Sequence, residues 1–165
     1  MSLAGLEVTY ISIEAGWKMQ TLLAKFKLGV NCAAYPGVSP DDLVLKTIMT
    51  ANDPFYEPTT VLRINIVGHG SRSGVQIGAH FVESSNFLNY EASLKRLRSV
   101  LDAEGFIHIR GCAVGQNEDL LVRFARACGV PVYAGTSAEN VLLDFNFGDI
   151  KVANPDGSVQ TTSRP

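Results

Sequence analysis

Charge of one sign is what this chain most plainly lacks. Fourteen Lys and Arg stand against 16 Asp and Glu, a net charge of -2. That balance gives no electrostatic footprint for nucleic acid, and no block of like charge forms a tail for a polyanion. Long apolar runs are missing too: none approaches the roughly 20 residues that span a bilayer. The start, Met1-Ser2-Leu3-Ala4-Gly5, lacks the basic-then-apolar pattern of a signal peptide, so a complete chain would be expected in the cytoplasm. Cysteine is sparse and odd in number: Cys32, Cys112 and Cys128. Three thiols do not make a disulfide framework. No CxxC occurs and the histidines are not at metal-ligand spacing with the cysteines, so neither a metal nor a cofactor is expected. With 46% apolar and 18% charged residues, 165 residues suffice for one packed domain over 1–165.

What is present is an alternation of strand and helix patterns. Strands are expected over Leu6–Ile13, Val30–Tyr35, Leu62–Val67, Phe106–Arg110 and Val130–Ala134. Between them come a helix over Gly16–Leu28, with Lys18, Lys25 and Lys27 on its solvent side, and one started by Ser39-Pro40-Asp41-Asp42 that runs to about Ala51. Phe87, Tyr90, Leu94, Leu97 and Leu101 predict a long helix closed by Gly105. Leu120, Leu121, Phe124 and Cys128 predict another, capped by Gln116 or Asn117 and ended by Gly129. A hairpin-like piece covers Val75–Gly78. From Leu142 the pattern turns β-like, with turns at Gly148-Asp149 and Pro155-Asp156-Gly157. These elements predict an α/β protein: a three-layer α/β/α sandwich on a mainly parallel sheet, with a C-terminal β-hairpin.

Two of the strands end in reactive side chains flanked by glycine: Gly68-His69-Gly70 and Gly111-Cys112. In open parallel sheets chemistry collects at the carboxyl ends of the strands. Cys112 precedes a helix, whose positive end favours a thiolate. The glycines let a substrate backbone approach, and the amides of Gly70 and Cys112 could hold an oxyanion. Cys128 and Cys32 read as packing, and His108 as a core histidine. The serines of Gly70-Ser71-Arg72-Ser73-Gly74 do not form a nucleophile elbow, and this loop lacks the spacing of phosphate-binding loops. Gly135-Thr136-Ser137 leaves a strand at the same edge, where Thr136 and Ser137 either line the cleft or cap a turn.

An apolar strand ending in His-Gly, about forty residues, then an apolar strand ending in Cys resembles the caspase-like cysteine peptidases. That superfamily includes caspases, metacaspases, gingipains, separase and the self-cleaving domains of bacterial toxins. The toxin branch and a large uncharacterised group of bacterial caspase-like domains are the most similar. The likeness covers residues 6 to 136, including Gly74-Val75-Gln76-Ile77-Gly78. It implies a caspase-like fold and a cysteine-type peptidase (a hydrolase) acting on polypeptides, with Cys112 as nucleophile and His69 as acid/base partner. Self-processing of a parent chain is one form this activity takes. It also implies that Arg110, two before the cysteine, lines the pocket for the residue before the cleaved bond, beside Gly68 and Gly111. A cation there favours an acidic side chain; the alternative is an arginine paired with a structural carboxylate. The basic cluster through which toxin relatives bind inositol polyphosphate is reduced here to Lys151 and Arg164. Two other functions stay open: an inactive caspase-like module that binds a protein, and a small-molecule-binding α/β domain.

Overall fold

The computed structural model describes residues 5–12, 19–27, 31–56 and 60–165. Seven strands form one sheet: β1 (Leu6–Ser12), β2 (Cys32–Gly37), β3 (Val61–Val67), β6 (Leu101–Arg110), β7 (Val132–Gly135), β10 (Ile150–Ala153) and β11 (Val159–Thr162). Their order is β11-β10-β7-β6-β3-β1-β2. The first five in chain order run parallel, and β10 and β11 are antiparallel additions beyond β7. The winding reverses once, between β1 and β3. Only the crossover from β1 to β2 moves toward one edge; the later crossovers move toward the other. With right-handed crossovers this puts α1 (Met19–Phe26) on one face and α2 (Pro40–Ala51), α3 (Leu88–Lys95) and α4 (Glu118–Cys128) on the other.

The two faces differ in chemistry as strand alternation requires. Leu6, Val8, Tyr10, Ile64, Ile66, Ile107, Ile109, Val132 and Ala134 form one buried cluster with α2, α3 and α4. Toward α1, Ile11, Ala34 and Val67 form a smaller cluster with Leu22 and Phe26, against which Val141 packs. Much of the rest of that face is polar, beside the Phe106 and Tyr133 rings, which meet edge to face at 5.3 Å. Asn65, fully buried, donates to Glu7 Oε1 (2.6 Å) and Thr9 Oγ1 (3.0 Å) and accepts from Arg63 Nε (2.9 Å).

The helix starts follow their caps. Ser39 Oγ accepts from Asp42 N (3.1 Å) with Pro40 at the first helical position, and Asn117 Oδ1 accepts from Leu120 N (3.1 Å). The expected long helix to Leu101 is instead α3 followed by a 3₁₀ turn over Arg96–Ser99, and β6 starts at Leu101. Leu101 pairs with Val61, whereas Arg63 pairs with Phe106. Residues 102–105 therefore bulge out of the strand. Gly105 does not end a helix; it sits where a Cβ would lie 3.0 Å from the carbonyl oxygens of Asp102 and Val61. In the β-like stretch expected between Leu142 and the Gly148-Asp149 turn, Phe145–Asn146 (β9) pairs, with β8 (Glu139–Asn140). The Trp17 and Lys18 part of the first helix lies outside the described residues. Lys25 is not solvated as expected: its Nζ donates to the carbonyls of Val141 (2.5 Å) and Leu142 (3.0 Å) and pairs with Asp144 (3.0 Å).

Candidate functional site

Parallel pairing of β3 with β6 sets Val67 opposite Arg110. The next residues, Gly68-His69-Gly70 and Gly111-Cys112, leave neighbouring strands on the same rim. Gly68 N donates to Arg110 O (3.4 Å), continuing the pairing by one step. Beyond it the two segments touch through backbone. A Cβ on Gly70 would lie 2.8 Å from Cys112 N and 2.7 Å from Cys112 O, and one on Gly111 would lie 3.0 Å from Gly68 O. The Gly70 contacts leave no room for a side chain, and a side chain at position 111 would have to push its neighbours back. Both reactive side chains, the His69 ring and the Cys112 thiol, are exposed.

A hairpin roofs the rim on the His69 side. It consists of β4 (Gly74–Ile77) and β5 (His80–Glu83). Gln76 N donates to His69 O (2.8 Å). Ser12, at the end of β1, donates to Gln76 O (2.8 Å) and accepts from Gly78 N (3.0 Å). Gly68 has no room for a side chain because Gln76 O would lie 2.1 Å from its Cβ.

On the Cys112 side the chain makes a strained turn. Ala113 has φ 59, in the left-handed region that costs an alanine roughly 1–2 kcal/mol. Its amide donates to Ser137 O (2.8 Å), and Gln116 Nε2 donates to Thr136 O (2.7 Å). Thr136 and Ser137 thus stand at the rim, half-buried, bracing the turn after Cys112 through their carbonyls. Two residues on, Glu139 N donates to Cys112 Sγ (3.4 Å). Among the described residues, the amides of Gly70 and Cys112 donate to no protein acceptor. The two segments that carry the reactive side chains thus each keep a free backbone N–H, the kind of donor that holding a developing oxyanion requires.

Arg110 takes the pairing alternative. Its side chain is 2% exposed and meets Glu139 Oε1 (3.2 Å) and Asp144 Oδ1 (2.5 Å). Glu139, 4% exposed, also accepts from Asn146 Nδ2 (2.9 Å). The segment from Ser137 to Gly148 is therefore a strap whose Glu139 and Asp144 carboxylates meet Arg110 and Lys25, with Asn146 bonding Glu139 within it. Val141 packs inward against the Leu22 and Phe26 cluster, whereas Leu142, Leu143, Phe145 and Phe147 are all exposed. A carboxylate partner for Arg110 is one of the two readings of the sequence, but the strap that supplies it is not foreseen there. Lys25 lies more than 110 residues from its partners, and the periodicity of its helix places it on the solvent side.

Behind the strap, a cavity of ≈ 510 Å³ opens on the α1 face, lined by Arg63, His108, Arg110, Glu139, Asp144 and others; His69 and Cys112 do not line it. His108 is 6% exposed and accepts at Nδ1 from Arg63 Nη2 (3.3 Å). Burial, with Arg110 and Arg63 nearby, pushes its pKa down to about 3. The unfolded chain takes up this proton below pH 6.5, but the folded chain resists until about pH 3. Stability is therefore expected to fall with pH across that window, by at most about 1.4 kcal/mol per unit from this group. Urea unfolding at pH 7 and pH 5 should show a shallower loss for His108→Asn; an unchanged slope would assign the pH dependence to other groups.

Among the described residues no group of three or more His, Cys, Asp or Glu could hold a metal ion, and no helix is long and apolar enough to cross a membrane. No curated protein and no solved structure matches the chain. One family model does match, over residues 18–140, and with most of its length inside that match the chain belongs to the family described as Domain of unknown function (DUF4347).

Proposed function

We propose that this chain is a caspase-like cysteine endopeptidase with Cys112 as nucleophile and His69 as acid/base partner. One observation carries the reading: an exposed thiol and an exposed imidazole leave adjacent parallel strands on one rim, on segments where the amides of Gly70 and Cys112 have no protein acceptor among the described residues. In the reaction the Cys112 thiolate attacks the peptide carbonyl carbon. The two amides hold the oxyanion, and the C–N bond breaks as imidazolium His69 protonates the leaving amine. Neutral His69 then takes a proton from water as its oxygen adds to the thioester carbonyl, and the C–S bond breaks to release the carboxylic acid and restore the Cys112 thiolate with imidazolium His69. The absence of a direct His69–Cys112 hydrogen bond is compatible with this order, since catalytic hydrogen bonds often tighten only around substrate.

An acidic preference is not part of the proposal, because Arg110 is buried and held by two of the protein's own carboxylates. The outward face of the strap offers the substrate leucine and phenylalanine side chains instead. Peptide electrophiles carrying Asp, Asn, Arg or Leu before the warhead test both points. Mass spectrometry should find label on Cys112 and none on Cys128, whose thiol is sealed in the core with its pKa pushed up to about 12. Asp and Asn peptides should react at similar rates. A tenfold preference for Asp, about 1.4 kcal/mol, would reinstate Arg110 as the determinant. No labelling of Cys112 by any peptide would end the peptidase reading.

A further inference from the structure

Asn117 bears on how the two reactive side chains keep their spacing. The His69 segment, residues 69–74, and the Cys112 segment, residues 111–117, are packed together by Gly70 against the Cys112 peptide and Val114. Van der Waals contact of this kind lets segments slide; a hydrogen bond sets a register. Among the described residues one hydrogen bond joins the two segments: Asn117 Nδ2 donates to Ser73 O (2.9 Å), 44 residues away in sequence. The same side chain is committed at its other end. Its Oδ1 accepts from Leu120 N (3.1 Å) as the cap of α4 and from Ser84 Oγ (3.3 Å). The amide is therefore held on both sides, unable to rotate without losing either the cap or the link. The Ser73 end feeds directly into the His69 segment. The turn there is closed by Ser71 N to Gly74 O (2.9 Å), and it leads into Gln76 N, which fixes His69 O (2.8 Å).

We infer that Asn117 is a positioning residue, setting the approach of the His69 imidazole to the Cys112 sulfur by tying the 71–74 turn to the start of α4. This rests on the dyad proposed above, and it asks more than a helix cap would. A cap needs an acceptor only, which Ser, Thr or Asp supply as well. The link to Ser73 needs a donor at the length of an asparagine or glutamine side chain.

Asn117→Ser separates the two roles, because serine keeps the cap and is too short to reach Ser73 O. Its thermal midpoint should match the parent's. Cleavage, or labelling by a peptide electrophile, should slow by about 10-fold or more, the scale on which catalytic groups respond to a displacement near 1 Å. In a His69→Ala background the same substitution should have no further effect, since a residue that acts through the imidazole has nothing left to position. Parental rates in Asn117→Ser, or an equal slowing in both backgrounds, would overturn the inference while leaving the dyad standing. Amide exchange at Ser71, Gly74 and Gln76 reads the link without any activity. It should speed up in Asn117→Ser, and unchanged exchange would overturn the inference even where cleavage is never observed.

Discussion

Replacing Cys112 with alanine is expected to abolish peptide cleavage, by at least about 1,000-fold, while leaving the fold as stable as the parent. The first half follows from chemistry: no other side chain at this rim can form the thioester. Ser71 and Ser73 are near in sequence, but their hydroxyls bond each other (2.8 Å) and no base addresses them. The second half follows from position. Cys112 is exposed, and its sulfur accepts one hydrogen bond, from Glu139 N at 3.4 Å. Truncating such a residue moves stability by no more than about 0.5 kcal/mol. Circular dichroism melting and a peptide-library digest on the same preparation check both halves. A Cys112→Ala chain that still cuts would sink the mechanism.

The largest loss of stability is expected at Arg110. Arg110→Met leaves the Glu139 carboxylate, 4% exposed, with Asn146 as its main remaining partner. Breaking a buried ion pair from one side costs about 3–5 kcal/mol, because the stranded charge stays out of water. Asp144 adds less to this figure, being 62% exposed and already paired with Lys25. Arg110→Met with Glu139→Leu should recover much of the loss, since it removes both charges and leaves apolar groups of similar size. Urea denaturation of the two single variants and the double variant gives the coupling directly. An Arg110→Met chain within about 1 kcal/mol of the parent would show that solvent reaches Glu139 after all. The loss should reach the site as well, because the backbone of Glu139 is the part of the strap that touches Cys112.

How far this molecule could be read from its residues depends on how local the determinants are. The ends of β3 and β6 were legible because short apolar runs stop at glycine, and glycine marks the close approaches found at Gly68, Gly70 and Gly111. The α2 and α4 starts were legible because Ser39 and Asn117 cap within three residues of themselves. The extended start of β6 was not. Leu101 continues the helical spacing of Leu94 and Leu97, and only its pairing with Val61 in another strand makes it extended. The strap was less legible still. Its signal is the disposition of Glu139, Asp144 and Asn146 around Arg110 and Lys25, and no window of sequence contains them together. That Arg110 would pair with a carboxylate was one of its two readings, but which carboxylate would meet it was not legible.

The bulge at residues 102–105 lies at the start of β6, the far end of the strand from Cys112. Ala103 and Glu104 face water there, and the turn closes on itself through Glu104 N to Asp102 Oδ1 (2.9 Å). A fluorophore, a surface tether or a short affinity handle attached at position 103 would ride on the rim opposite the reactive one. The chain can thus be immobilised or tracked with the His69 and Cys112 rim left open to solvent.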